Sequence, residues 1–219
     1  AEAIAARIAE LPRAALRGGS GVDLVTLSRF QMTTGGRGGP RFAGNVATGG
    51  AGLPQLQGRV ERQGGGTTLG RFTMPEYRAG TTRIALPQLA LVQRPGGEIG
   101  FSGEARLSGD LPGGRAENLV VPLDGTWSRR LGLSAWRRCT PVRFDRFAIA
   151  DLSLEKRELM LCPGSDGAIL RSDGRGTRVA AGASALNLGG RLGTTPIRLT
   201  SGAVGFAWPG ALAARSIDV

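Results

Sequence analysis

The chain has 219 residues, a net charge of +11, 37 glycines and no histidine. Without histidine it has no Ser-His-Asp triad, no Cys-His pair and no histidine base, and it carries no Walker or GxSxG motif. Many glycines, with 12 prolines, favour short strands and turns over helices. We therefore expect an all-β protein, mainly an antiparallel meander, that is not an enzyme and holds no cofactor or metal.

The first residues carry the one helical pattern of the chain. Their apolar stripe consists of Ile4, Ile8, Leu11 and Ala15. Gly18 and Gly19 follow as a stop signal. We predict one N-terminal α-helix, a helical segment over residues 1–19 that packs on a sheet. The alternative is an amphipathic helix that lies on a membrane.

From residue 20 to residue 219 the pattern is that of strands. Ile99, Phe101 and Leu107 alternate with polar residues, and so do the later strands around Leu188 and Phe206. The stretch that begins at Phe42 is echoed by the stretch that begins at Phe101, because both start Phe-x-Gly and end Leu-Pro. One apolar and one polar face per strand predict a repetitive antiparallel sheet, which we take as one section of a longer protein.

The segment from residue 136 to residue 163 holds both cysteines, Cys139 and Cys162. Between them lie two apolar runs of opposite parity, Leu152–Leu154 and Leu159–Leu161. A polar turn over residues 155–158 would place all four leucines on one face of a β-hairpin. We predict that a disulfide ties the segment leading into this hairpin to its returning strand. The alternative is two reduced, buried thiols.

Nearly all the positive charge is arginine, since Lys156 is the single lysine. Dispersed arginine keeps a β-protein soluble, or it attracts an anionic partner. The most concentrated basic and aromatic cluster consists of Trp127, Arg129, Arg130, Trp136, Arg137 and Arg138. It is suited to bind phosphate of a lipid headgroup or of nucleic acid. The alternative is a purely structural role, as a hairpin edge on which arginine stacks against tryptophan.

The chain resembles a known family through three segments. They are WRRCTPVRFDRFAIADLSLEKRELMLCPGSDGAIL, the meander LNLGGRLGTTPIRLTSGAVGFAWPG after it, and FSGEARLSGDLPGGRAENLVVPLDG before it. The run Cys-Thr-Pro-Val-Arg-Phe-Asp-Arg, the second Cys-Pro and the glycine-rich meanders are similar to the YdbH-like branch of the AsmA-like, TamB-related envelope proteins. The likeness covers Ile84 to Val219 well and the first third loosely.

The resemblance implies a protein that is anchored to the inner membrane in its full-length form and crosses the periplasm as an elongated, twisted β-groove. The concave apolar face would shield phospholipid acyl chains on their way to the outer membrane. The implied partners are phospholipid and envelope proteins at the outer membrane. Contact with the membrane itself would be made by parts of the protein outside this section. We expect no nucleic-acid partner. An oxidising periplasm also suits a disulfide between Cys139 and Cys162. The family offers no catalytic residues.

Our first hypothesis is therefore a non-enzymatic section of a lipid bridge. The predicted groove-lining, lipid-binding residues are Ile99, Phe101, Leu107, Leu152, Leu154, Leu159, Leu161, Leu186, Leu188, Leu192, Ile197, Leu199, Val204 and Phe206. A closed β-sandwich would use the same residues as core, and would suit a structural or adhesive domain of an exported protein. Nucleic-acid binding through the arginine surface is the third hypothesis.

Overall fold

The computed structural model describes residues 7–17, 23–35, 38–50, 52–111, 114–210 and 212–214. Within these ranges the regular secondary structure is β-strand throughout, and no helix there is long and apolar enough to cross a membrane. The seventeen strands of the described residues are β1 (Arg7–Arg17), β2 (Asp23–Thr34), β3 (Arg41–Thr48), β4 (Gln57–Arg62), β5 (Thr68–Ala79), β6 (Thr82–Gln93), β7 (Ile99–Leu111), β8 (Gly114–Ser128), β9 (Gly132–Ala135), β10 (Thr140–Ile149), β11 (Leu152–Pro163), β12 (Leu170–Asp173), β13 (Gly176–Ala183), β14 (Leu186–Leu192), β15 (Thr195–Ser201), β16 (Val204–Trp208) and β17 (Leu212–Ala214).

The contacts divide the chain into two units. The first comprises the chain up to Tyr77 together with Ala85–Gly103, and the second comprises Arg78–Ile84 and the chain from Glu104 onward. Antiparallel pairing of strands that mostly follow one another in sequence builds both. This confirms the predicted all-β antiparallel class.

In the first unit, β1 to β5 pair in sequence order. The register places Leu27 opposite Val46 and Val46 opposite Gly58, so the side chains of Leu27 and Val46 share one side. Phe30 and Phe42 lie on the same side with ring centroids 5.9 Å apart. Gly44 fits this side closely, because a Cβ there would approach the Phe30 ring to 3.1 Å and the ring would have to shift by a few tenths of an ångström. β2 and β3 therefore share one apolar side, as their alternating sequences predict.

In the second unit, β10 is the centre of a ladder that runs from β9 to β17. It pairs with β8 on one side and with β11 on the other. Beyond β11 lie β13 and β14, and beyond these β16 and β15. β17 pairs with β16, and the short strand β12 bridges β9 and β13.

The strands of the second unit are interrupted at matching positions. Asn118 in β8 has a positive φ of 49°, a conformation that asparagine tolerates better than most residues. The pairing skips Asp145 of β10. Likewise, β13 gives way to β14 at residues 184–185, and β15 gives way to β16 at residues 202–203. Pairing keeps a constant register across each interruption. We call the half near Ala150 the turn end and the half near Cys162 the disulfide end.

The predicted N-terminal helix is wrong in its described part. Residues 7–17 form strand β1, which pairs along its length with β2, while residues 1–6 and 18–19 lie outside the described residues. Pro12 disfavours a helix interior because it removes a backbone donor and clashes with the preceding turn. The pairing skips Pro12 and faces it with Arg29, whose φ is 50°, so the strand accommodates the proline at an irregular position.

The predicted hairpin within residues 152–161 is also wrong, whereas the disulfide is present. Residues 155–158 form no turn, since β11 continues from Leu152 to Pro163. The hairpin is β10–β11, and it turns at Ala150 and Asp151. Cys139 is bonded to Cys162 across the open end of this hairpin, next to the pair Thr140 and Leu161. The bond therefore joins the entry segment to the returning strand, as the sequence predicts.

Candidate functional site

At the turn end of the second unit, one side of the sheet is aliphatic and aromatic. Antiparallel partners share a side, and the register aligns Phe147 with Leu154 and Leu154 with Gly190, and Leu188 with Leu199. The side chains on this side are Ala116, Phe147, Ile149, Leu152, Leu154, Leu186, Leu188, Leu192, Ile197 and Leu199. Ala116 and Leu188 are buried, but Ile149 and Leu192 remain about half exposed.

At the disulfide end, the apolar residues have the other sequence parity. Leu159 faces Val142, and Leu161 faces Thr140. The same side continues through Ala181 opposite Phe206. Val179 and Trp208, the last pair of β13 and β16, extend this side further. Phe206 is 44% exposed and Trp208 61% exposed, so this side also ends in accessible aromatic surface.

Phe144 and Phe147 join these two sides into one. Phe144 has the parity of the disulfide-end set and Phe147 that of the turn-end set. On a regular strand, residues three apart point to opposite sides. Their ring centroids nevertheless lie only 5.8 Å apart, so the strand changes parity between them, at Asp145 and Arg146. We call the combined surface the apolar face of the second unit.

The opposite side of the same strands is charged, and most of its charges are paired. Arg143 lies near both Glu104 and Glu158, at 3.9 and 4.0 Å, and Lys156 lies 3.7 Å from Asp145. These groups border an open cavity of about 580 Å³. All are substantially exposed except Glu104, which is half-buried, so each pair contributes little to stability. Their main effect is to leave this side well hydrated.

Two carboxyl groups outside the apolar face have lowered pKa values. A hydrogen bond from Thr81 is the largest cause of the lowered pKa of Asp110, and the charge of Arg115 adds to it. A hydrogen bond and the charge of Arg59 lower the pKa of Glu61. Both carboxyl groups are therefore ionised at neutral pH, as expected for exposed structural ion pairs.

The structure brings eleven of the fourteen predicted residues to the apolar face. Seven lie at the turn end: Leu152, Leu154, Leu186, Leu188, Leu192, Ile197 and Leu199. Four lie at the disulfide end: Leu159, Leu161, Val204 and Phe206. Ile99 and Phe101 belong to the first unit and are half-buried on β7. Leu107, also on β7 and half-buried, belongs to the second unit. That any of them touches a lipid stays a prediction.

The sequence-based choice missed Phe144, Phe147, Val142 and Trp208. Phe144 and Phe147 are three residues apart, a spacing that fits neither face of a regular strand. A signal was nevertheless present in β11, where the two leucine pairs change parity around residues 155–158. The same change of parity in two consecutive apolar segments is compatible with two continuous strands as well as with one hairpin.

The second unit is thus an antiparallel sheet with one charged face and one mostly apolar face, on which Arg157 lies opposite Phe144. Extended, partly exposed apolar surface of this kind marks a site for a partner, a ligand or lipid. The chain matches the family model described as YdbH-like, intermembrane phospholipid transport protein YdbH, over residues 6–219, and it belongs to this family. No curated protein and no solved structure matches the chain. The family is one of lipid transport, which implies phospholipid cargo and an envelope or periplasmic location.

Proposed function

We propose that the apolar face shields phospholipid acyl chains from water, as a β-groove section of a bridge that carries lipids across the periplasm from the inner to the outer membrane. The observation that carries this proposal is the Phe144–Phe147 contact, which links the apolar side chains of the two ends where the strands change parity. An alternating strand that kept its parity would have put half of these side chains on the charged side. The parity change instead keeps acyl-chain contacts available from the turn end to the disulfide end.

Partial burial supports an open face over a closed sandwich. A sandwich buries one side of every strand against a second sheet. Here Leu188 is 5% exposed, but Leu192 on the same strand is 55% exposed, and Ile149 and Phe206 are each more than 40% exposed. Each CH₂ group moved from water to this face would gain about 0.8 kcal/mol. The inner-membrane anchor and the envelope partners of such a bridge would lie outside these contacts.

The chemistry of the face also suits movement of the cargo. Its lining is mostly leucine, isoleucine, valine and phenylalanine, which offer dispersion contacts without fixed direction. A lipid chain displaced along the face would exchange one set of aliphatic contacts for a similar one. No catalytic step is part of the proposal, so we infer that the family's transport activity is a matter of shielding alone.

Native mass spectrometry with lipid extraction from the same purified chain tests the proposal. We expect co-purifying phospholipid, and we expect Leu192→Asp to reduce it. The matched control is Arg191→Asp, one residue away on the charged side. A lipid-free chain that also fails to bind added phospholipid would refute the proposal and favour a structural domain.

A further inference from the structure

We propose that the cavity beside the β8–β9 turn binds the phosphate group of a phospholipid whose acyl chains lie on the apolar face. This inference rests on the proposed function and adds a headgroup site to it. The cavity has a volume of about 460 Å³. Trp127 and Leu133 form its apolar wall, Arg129 and Arg130 its basic wall, and Ser172 and Asp173 its far side. We call it the headgroup cavity.

The register opens the headgroup cavity onto the apolar face. Trp127 lies opposite Leu133, and Leu133 lies opposite Ser172. Leu170, two residues before Ser172 and hence on the same side, lies opposite Val179. Val179 in turn lies opposite Trp208 of the apolar face. A chain on that face would thus reach this cavity at the disulfide end without crossing the sheet.

The charge around the headgroup cavity is in excess and unneutralised. Among the described residues, neither Arg129 nor Arg130 has a carboxylate within ion-pair distance. Asp173 is the one acidic group in the lining, and its carboxylate accepts a hydrogen bond from the backbone of Arg175 at 2.8 Å. A second cavity, of about 390 Å³, shares Asp173 and is lined by Arg171, Arg175 and Arg178, of which Arg171 and Arg178 lie on the charged side of the sheet.

Arg171 and Arg178 sharpen the contrast with the rest of the charged side. They are direct cross-strand partners, an arrangement of like charges that destabilises a sheet. Within the described part of the chain, no carboxylate lies at ion-pair distance from either of them. At the turn end, by contrast, Arg146 is paired with Glu117 and Arg115 with Asp110. The disulfide end therefore carries a positive potential that an anion would relieve.

The apolar groups around this potential indicate a lipid anion. Trp127 is 41% exposed, Leu131 of the same turn is 65% exposed and Trp208 is 61% exposed. Tryptophan places its apolar ring against hydrocarbon and its N–H towards water, so it is enriched where acyl chains meet headgroups. Guanidinium groups bind phosphate oxygens with two parallel hydrogen bonds. The larger cavity near Arg143 lacks this character, because Glu104, Asp145 and Glu158 line it.

The test compares two lipids with the same acyl chains, dioctanoylphosphatidylglycerol and dioctanoylglycerol, by isothermal titration calorimetry on the full chain. We expect about tenfold tighter binding of the phosphate-bearing lipid, equivalent to one well-made charge-assisted contact. The double variant Arg129→Gln/Arg130→Gln should lose this preference while keeping its affinity for dioctanoylglycerol. The double variant Arg115→Gln/Arg146→Gln removes the same charge at the turn end and should keep the preference.

Each other outcome is decisive. Equal affinities for the two lipids, or a preference that survives in the Arg129/Arg130 variant, would overturn the headgroup site and leave the proposed function standing. Inorganic phosphate that binds as tightly as the phospholipid would reveal an anion site independent of lipid, and would overturn it too. If the unaltered chain binds neither of the two lipids, the proposed function itself is overturned. Circular dichroism of each variant checks that the sheet is retained.

Discussion

Phe206 offers the sharpest test of the apolar face, because it is accessible and lies away from the charged side. It occupies β16, where it faces Ala181, and 44% of its surface is exposed. A phenylalanine presents about 200 Å², so about 90 Å² of this ring is free to contact a cargo. At about 25 cal/mol per Å², covering it with an acyl chain gains about 2 kcal/mol.

Phe206→Asp should therefore weaken phospholipid binding about thirtyfold, and the desolvation of the new carboxylate adds to the loss. The control is Ala207→Asp, which places the same charge one residue away on the other side of β16. Binding of a fluorescent phospholipid, followed by titration, measures both variants. An equal loss in the two variants, with an unchanged circular dichroism spectrum, would mean that the side of the strand does not matter, and our assignment of the apolar face would be refuted.

Three further predictions concern the sheet itself. Cys139→Ser/Cys162→Ser should lower the free energy of unfolding by about 3 kcal/mol, because the bond closes a loop with a sequence separation of 23, and a melting curve with and without reductant checks this. Gly190→Ala should lower the free energy of unfolding, measured by chemical denaturation, by about 1–3 kcal/mol, because the new Cβ would lie 2.2 Å from the Ser153 carbonyl oxygen. The control Gly189→Ala makes only an ordinary contact at 3.6 Å to Glu155 and should cost far less. Equal losses in the two variants would contradict the cross-strand contact at Gly190. Because the pKa of Asp110 is lowered by folding, its contribution to stability is present above the pKa of the unfolded chain and is lost as the pH falls through the pKa of the folded state. Thr81→Val removes the hydrogen bond to this carboxylate and should move its pKa, measured by NMR titration, back up towards its usual value. An unchanged pKa would show that the hydrogen bond from Thr81 is not the main cause.

The strand class was predictable because alternation is a local signal. Stretches such as Ile99–Leu107 and Leu186–Leu192 show one apolar and one polar side, and both are strands. Glycine and proline marked turns such as the one at Pro95. The pairing of Cys139 with Cys162 was also accessible, because the chain has two cysteines and they flank one compact segment.

The bent strands were not predictable by the same rule. Alternation assigns a side only while a strand stays regular, and a change of parity looks the same whether the chain turns back or bends onward. Residues 155–158 are polar enough for a turn, yet pairing with β10 keeps β11 extended through them. The helical spacing of Ile8, Leu11 and Ala15 failed for a related reason, because strand pairing with β2 overrides a weak local propensity.

Bending with a change of parity solves a problem that a regular strand leaves open. A strand that must keep its apolar side chains on one face past an interruption has to change parity there. β10 does so between Phe144 and Phe147, across two charged residues that form ion pairs with Lys156 and Glu117. If the proposed function holds, acyl chains gain similar contacts on both halves of the apolar face, while the unpaired arginines of the headgroup cavity favour a phosphate at the disulfide end. The two terms together would bias the orientation of a bound lipid without fixing its position along the face.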